Sequence, residues 1–180
     1  MNVLALRRRR ERPTAVRVEP MRRRDLTDVM RIESSAHPRP WSVDVMRAEL
    51  ERSSRGERDY VVARSGRAVL GFAGLMYTPD EAHITNIAVA PEWRGHGIGR
   101  RLLAELSWIT IGRGLDALTL EVRASNEVAQ SLYRQFGFES EGVRVRYYEN
   151  VEDAVVMWCR DLQSAATVGR LRRLAPEVSR

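Results

Sequence analysis

Lysine is absent from this 180-residue chain: all 30 of its basic residues are arginine. Without lysine there is no Walker A phosphate-binding lysine, no Schiff-base nucleophile and no lysine to carry a tethered cofactor. Cysteine occurs once, at Cys159, so an internal disulfide and a thiolate metal cluster are both excluded. A reducing compartment, the cytoplasm by default, is the expectation. The three histidines, His37, His83 and His96, have no spacing suited to a metal site, and no Ser-His-Asp set is recognisable. No metal is expected. Long hydrophobic runs are missing as well. No stretch of about 18 residues is free of charge, so no membrane span or membrane partner is expected. The opening "MNVLALRRRRERPT" sets a short apolar patch ahead of its arginines, the reverse of a secretory signal's order, and no export is expected.

Hydrophobic residues make up 43% of the chain, enough for the core of one domain, expected over residues 15–160. The formal net charge of +6 is unevenly spread. Residues 1–14 hold five arginines and one acid, residues 160–180 five arginines and two acids, and the rest 20 arginines against 21 acids. Residues 1–14 and 161–180 therefore read as flexible basic arms, either solvated or drawn to an acidic surface such as RNA. The core lacks the positive charge of an obligate nucleic-acid binder.

Periodicity predicts a strand at 16–19, a helix over 23–36, and a second helix over 43–52 with Ser42 as its N-cap. β-rich runs follow at 59–64, 68–77 and 81–89, the first two joined by the hairpin loop "SGR". The longest helix is expected over 98–114, ending at Gly112 or Gly114. A strand at 115–122, a helix over 125–138 capped by Asn126 or Ser125, and strands at 142–148 and 153–160 complete the order. That order implies an α/β fold with a mostly antiparallel sheet and one parallel crossover, from strand 81–89 to strand 115–122.

Between strand 81–89 and the longest helix lies "APEWRGHGIGRRLL", with Gly95, Gly97 and Gly99. A strand feeding a helix through glycines offers free backbone N–H groups and the positive end of a helix dipole, a place for a nucleotide-like phosphate. A dinucleotide fingerprint beginning at Gly95 would need glycine where Arg100 stands, and fails. A plain glycine-rich turn would explain one glycine but not three.

"RGHGIGRRLL" resembles the R/Q-x-x-G-x-G/A signature of the GCN5-related N-acetyltransferases, with Arg94, Gly97 and Gly99 in the signature positions. Taken with "NIAVAPEWRG", "LEVRASNEVAQSLYRQFGF", "PWS" and "YY…EDA", the chain resembles the ribosomal-protein alanine N-acetyltransferases of that family over about residues 16–160. The resemblance implies a sheet of about seven strands flanked by about four helices, splayed between the fourth and fifth strands, with acetyl-CoA as acetyl donor. Its pyrophosphate would lie on the backbone of Arg94, Gly95, His96, Gly97, Ile98 and Gly99, with Arg100 near by. The pantetheine amides would pair with the backbone of Ile87, Ala88 and Val89, helped by Asn126. The implied acceptor is a protein N-terminus, most like the terminal alanine of ribosomal protein S18.

Acyl transfer to an amine needs a neutral amine, a stabilised oxyanion and a protonated leaving group. The family's base position matches Glu121, and its acid position matches Tyr133. By their residues alone, Glu121 also reads as a surface carboxylate paired with Arg123, and Tyr133 as core packing. A backbone N–H near Val89 would meet the oxyanion. Trp41, Tyr147 and Tyr148 resemble the walls of a peptide slot, or are ordinary boundary aromatics. At pH 7.4 roughly a quarter of an α-amine is neutral against about a thousandth of a lysine. An α-amine is thus favoured, while a lysine side chain, a small amine and a non-catalytic acetyl-CoA or RNA module stay open.

Overall fold

The apolar run "AVLGFAGLMY" forms β3 (Ala68–Tyr77), with Val69 to Leu75 all buried, the mark of a strand covered on both faces. In the computed structural model, which describes Pro13 and residues 15–178, β3 lies inside a seven-stranded mixed sheet. The other strands are β1 (Arg17–Pro20), β2 (Arg58–Ser65), β4 (Ala82–Val89), β5 (Leu118–Arg123), β6 (Glu139–Tyr148) and β7 (Glu152–Cys159). Their spatial order is β1-β2-β3-β4-β5-β7-β6, parallel only between β4 and β5. The β2–β3 hairpin turns at Ser65–Arg67, with Gly66 at φ +58°.

One face of the sheet carries α3 (Ile98–Gly112) and α4 (Glu127–Gln135). Leu102, Leu103 and Leu106 of α3 join Leu118, Leu120 and Val122 of β5 and Phe136 in the larger apolar cluster. The other face carries α1 (Leu26–Ala36) and α2 (Val43–Ser54), whose Val29, Ile32 and Met46 pack on Tyr60, Val62 and Phe72. Ser42 caps α2 as expected, its hydroxyl accepting from Val45 N–H at 3.3 Å. Gly114, at φ +76°, follows the end of α3. Among the described residues no helix is long and apolar enough to cross a membrane.

The arm at 1–14 lies outside the described residues, Pro13 apart. The flexible tail expected at 161–180 does not hold for its described part, and the α-helices among the described residues number five. Residues Ala165–Leu174 form α5, capped by Ser164, and Leu162, Leu171 and Ala175 are at most 1% exposed within the larger cluster. Arg170 donates to Phe136 O at 3.2 Å, and Glu177 pairs with Arg101 of α3 at 3.0 Å. The segment's arginine count hides an amphipathic period in which Thr167 and Leu171 face inward. Cys159 is buried as read, and burial pushes its thiol up to about 11.

If residues 161–178 are part of the core, Leu171→Ala should cost about 2–4 kcal/mol of stability by cavity formation. A urea unfolding curve checks this; an unchanged midpoint would restore the flexible-tail reading.

Candidate active site

β4 and β5 pair at only three positions, Ala82↔Leu118, His83↔Thr119 and Ile84↔Leu120. Beyond Ile84, β4 follows β3 through Val89↔Gly71, while β5 follows β7 through Arg123↔Ala154. Among the described residues, Thr85–Val89 therefore has no strand partner on its β5 side. The expected splay is present, and it leaves this edge of β4 without a strand partner, Val89 O being met instead by Arg94 Nε at 3.2 Å.

That edge opens into a cleft of about 1000 Å³. Ile87, Ala88 and Val89 form one wall, Arg94, Gly95, Gly97, Ile98, Gly99 and Arg100 the end, and Asn126, Ala129 and Tyr133 the wall opposite. Gly95 and Gly97 both sit at φ +78°, a region that costs an L side chain about 1–2 kcal/mol. Gly97 is the N-cap of α3 with no side-chain cap, and the first intrahelical bond runs from Arg101 N–H to Gly97 O. The N–H groups of Ile98, Gly99 and Arg100 thus have no partner within the helix. Helices usually place acids in their first turn; this one has none, and Arg100 stands there instead. The turn suits an anion.

Gly99 differs from its two neighbours: its φ is not positive, and a Cβ there would meet Leu132 Cδ2 at 3.5 Å and Val89 Cγ2 at 3.9 Å, ordinary contact distances, so neither backbone nor space demands glycine at this position. The side chain of His96 is not part of the cleft wall: its Nδ1 is 3.0 Å from Arg94 O and its ring meets Trp93 edge-on. Asn126 caps α4, accepting from Ala129 N–H at 3.2 Å, and still faces the cleft. Tyr133, 8% exposed, lines the cleft as well, and burial raises its phenol well above the ordinary value, with Tyr148 adding to the rise. It stays protonated.

Glu121 belongs to the other face of the sheet. Leu118, Leu120 and Val122 point into the α3 cluster, so the alternation of β5 sends Glu121 the opposite way. Its side chain is 10% exposed, and both carboxylate oxygens are engaged: Oε2 with His83 Nε2 and Oε1 with Arg144, each at 3.0 Å. The hydrogen bond from His83 holds this carboxyl below the usual carboxylate range, and the charges of His83 and Arg144 add to the effect. The alternative pairing of Glu121 with Arg123 is not formed. Arg123 binds Glu149 and Glu152 instead, each at 2.8 Å.

The tyrosine pair closes on the same spot. Tyr148 donates its hydroxyl to Glu121 O at 3.1 Å, burial lifts its phenol to about 12, and the ring of Tyr147 crosses it edge-on at 5.2 Å. Trp41 stands apart, its backbone N–H given to Glu33 Oε1 at 3.2 Å and its ring packed with the α1–α2 cluster. Sequence reading considered His83 only as a metal ligand and passed over Arg144. The signal for His83 was present: on parallel neighbours β4 and β5, a register of His83 opposite Thr119 puts Glu121 on the same face two residues on. Nothing comparable marked Arg144, whose position depends on how β6 pairs with β7.

The family model described as the acetyltransferase (GNAT) family matches residues 26–138. The [ribosomal protein bS18]-alanine N-acetyltransferase of Escherichia coli (strain K12) is 38% identical over 138 residues, 74% of this chain and 89% of that one. Its counterpart in Haemophilus influenzae is 36% identical over 141 residues, 75% of this chain and 92% of that protein. The crystal structure of the ribosomal-protein-S18-alanine N-acetyltransferase from Escherichia coli superposes with a TM-score of 0.74 at 31% identity, covering 82% of this chain and 94% of that one.

The lowered carboxyl of Glu121 has a consequence for stability. Because the fold favours its ionised form, its contribution is complete above the ordinary value of 4.5 and is lost as pH falls through the lower folded value. Glu121→Gln should therefore lower the melting temperature at pH 7, and the gap to the parent protein should shrink below pH 4. Thermal melts across pH 3–7 check this; a gap that widens toward acid would contradict it.

Proposed function

Since the chain belongs to the acetyltransferase (GNAT) family, we propose that it transfers the acetyl group of acetyl-CoA to the N-terminal α-amine of a protein, the terminal alanine of ribosomal protein S18. One observation supports this above others. The anion-binding cleft and the Glu121 cluster lie on opposite faces of the sheet, and the gap between β4 and β5 is where the two meet.

The cleft fits the donor by its own chemistry. A diphosphate finds the unpaired N–H groups of Ile98, Gly99 and Arg100, the open backbone at Gly95 and Gly97, and the charges of Arg94 and Arg100. An amide-bearing arm finds the free edge of β4 at Ile87–Val89, with Asn126 across from it. Bound there, acetyl-CoA supplies an activated thioester carbonyl. The backbone N–H near Val89 offers a hydrogen bond to that carbonyl's oxygen as negative charge builds on it. Tyr133, held protonated by burial, donates to the departing sulfur. On the other face Glu121 takes the amine's proton, with Tyr147 and Tyr148 walling the approach.

The S18 acceptor rests on the relatives named for it. Ribosomal contact through basic segments would use the exposed Arg172 and Arg173 of α5. Removing residues 160–180 would damage the core; replacing these two arginines with glutamine and measuring ribosome association tests that contact cleanly.

The purified chain should acetylate a peptide beginning with free alanine and ignore the same peptide with a blocked N-terminus and an internal lysine. Equal turnover of both would overturn the α-amine assignment. Glu121→Gln and Tyr133→Phe should each lower kcat by about a hundredfold or more while coenzyme A binding persists. Unchanged rates would favour a non-catalytic module.

A further inference from the structure

Glu121 is held by two partners of unlike character, an imidazole and a guanidinium. His83 comes from β4, its side chain 18% exposed, and binds Oε2; Arg144 comes from β6, 56% exposed, and binds Oε1. β6 is an edge strand exposed along nearly its whole length, so little packing fixes Arg144 in place. Its pairing with β7 breaks just past Arg144, resuming at Tyr148↔Glu152, and Arg146 within the break sits at φ +52°. The guanidinium also lies 5.5 Å from the centre of the exposed Tyr147 ring. His83 is the fixed partner and Arg144 the exchangeable one.

Resting on the N-acetyltransferase reading above, we propose that Arg144 stands in for the acceptor's ammonium on Glu121 Oε1, and that the incoming α-amine binds by displacing it. An ammonium and a guanidinium N–H make the same charge-assisted bond to a carboxylate oxygen. The exchange conserves one cation at Oε1, so the half-buried carboxylate is never left without that partner. Arg144 itself is 56% exposed, so its guanidinium returns to water with little change in its own hydration, while the incoming ammonium takes over its bond to the carboxylate. His83 keeps Oε2 throughout, which fixes the carboxylate's rotation and presents Oε1 toward the tyrosines. Arg144 is thus a competitor for acceptor binding and sets the amine's apparent affinity.

The test uses the full chain and a peptide with a free N-terminal alanine. Arg144→Gln should lower the peptide KM by about two- to fivefold, with kcat moving less, because a competitor has been removed. Arg144→Lys, which restores a cation, should return KM toward the parent value. Methylguanidinium should inhibit R144Q competitively against the peptide, and inhibit the parent protein less. A KM that stays the same or rises in R144Q overturns the proposal, a rise meaning that Arg144 holds the peptide. Absence of turnover of any N-terminal amine by the parent protein would instead defeat the functional reading. In that event a calorimetric titration of the same peptide into both proteins still decides the exchange, tighter binding by R144Q supporting it and equal or weaker binding refuting it.

Discussion

Everything chemical in this molecule depends on β4 and β5 parting after three pairs. Each strand is committed to its outer neighbour along its length, β4 to β3 and all six residues of β5 to β7. The register between β3 and β4 shifts at Gly74/Leu75, leaving Thr85 out of the ladder just past Ile84, where pairing with β5 ends, and such a bulge bends β4 away from its parallel neighbour. An unpaired backbone edge is ordinarily a liability, since each buried amide left without a partner costs free energy. Here the liability is the surface we propose for the acetyl donor. The edge at Ile87–Val89 meets the uncapped start of α3, so unpaired amides from a strand and from a helix end converge on one cleft.

The same parting puts Tyr133 with the glycine turn, and Glu121 with its partners, the groups proposed for donor and acceptor, on opposite faces without a channel through a packed core. On one face the apolar clusters around α3 and α4 exclude water and hold Tyr133 neutral. On the other the groups are charged and paired: Glu121 with His83 and Arg144, and Arg123 with Glu149 and Glu152. The separation suits the chemistry, because a buried phenol and a hydrogen-bonded carboxylate need opposite surroundings to keep their protonation states.

The elements were legible in the sequence because their signals are local: the alternation in "LTLEVR", Ser42 before an apolar period, glycines where φ turns positive. The cleft was legible for the same reason, since Gly95, Gly97 and the start of α3 adjoin in sequence. Partnerships across the sheet were less so. Glu121 and Arg123 look like a natural pair on one strand, yet Glu149 of the β6–β7 turn and Glu152 at the start of β7 claim Arg123 first. The reading of the C-terminus failed through composition: five arginines in residues 160–180 outweighed a period of Leu162, Thr167, Leu171 and Ala175 that the fold buries. Charge counts report what the surface carries and are blind to the opposite side of the same helix.

A carboxylate held below its ordinary range is a weak base, and that weakness bears on which amine the site can serve. Each unit of separation between acceptor and donor pKa makes proton transfer about 1.36 kcal/mol harder. A lysine ammonium, near 10.4, therefore lies about 2.5 units further from Glu121 than an α-ammonium near 7.7–8.0. The α-amine is already neutral in roughly a quarter of molecules at pH 7.4, so it needs a carboxylate chiefly to draw it in and to carry off the proton released on attack. Glu121, kept ionised by His83 and Arg144, is suited to that attraction and poorly suited to stripping a lysine. On this argument the proposed acceptor preference is set by His83 and Arg144 beside Glu121 as much as by the shape of the slot.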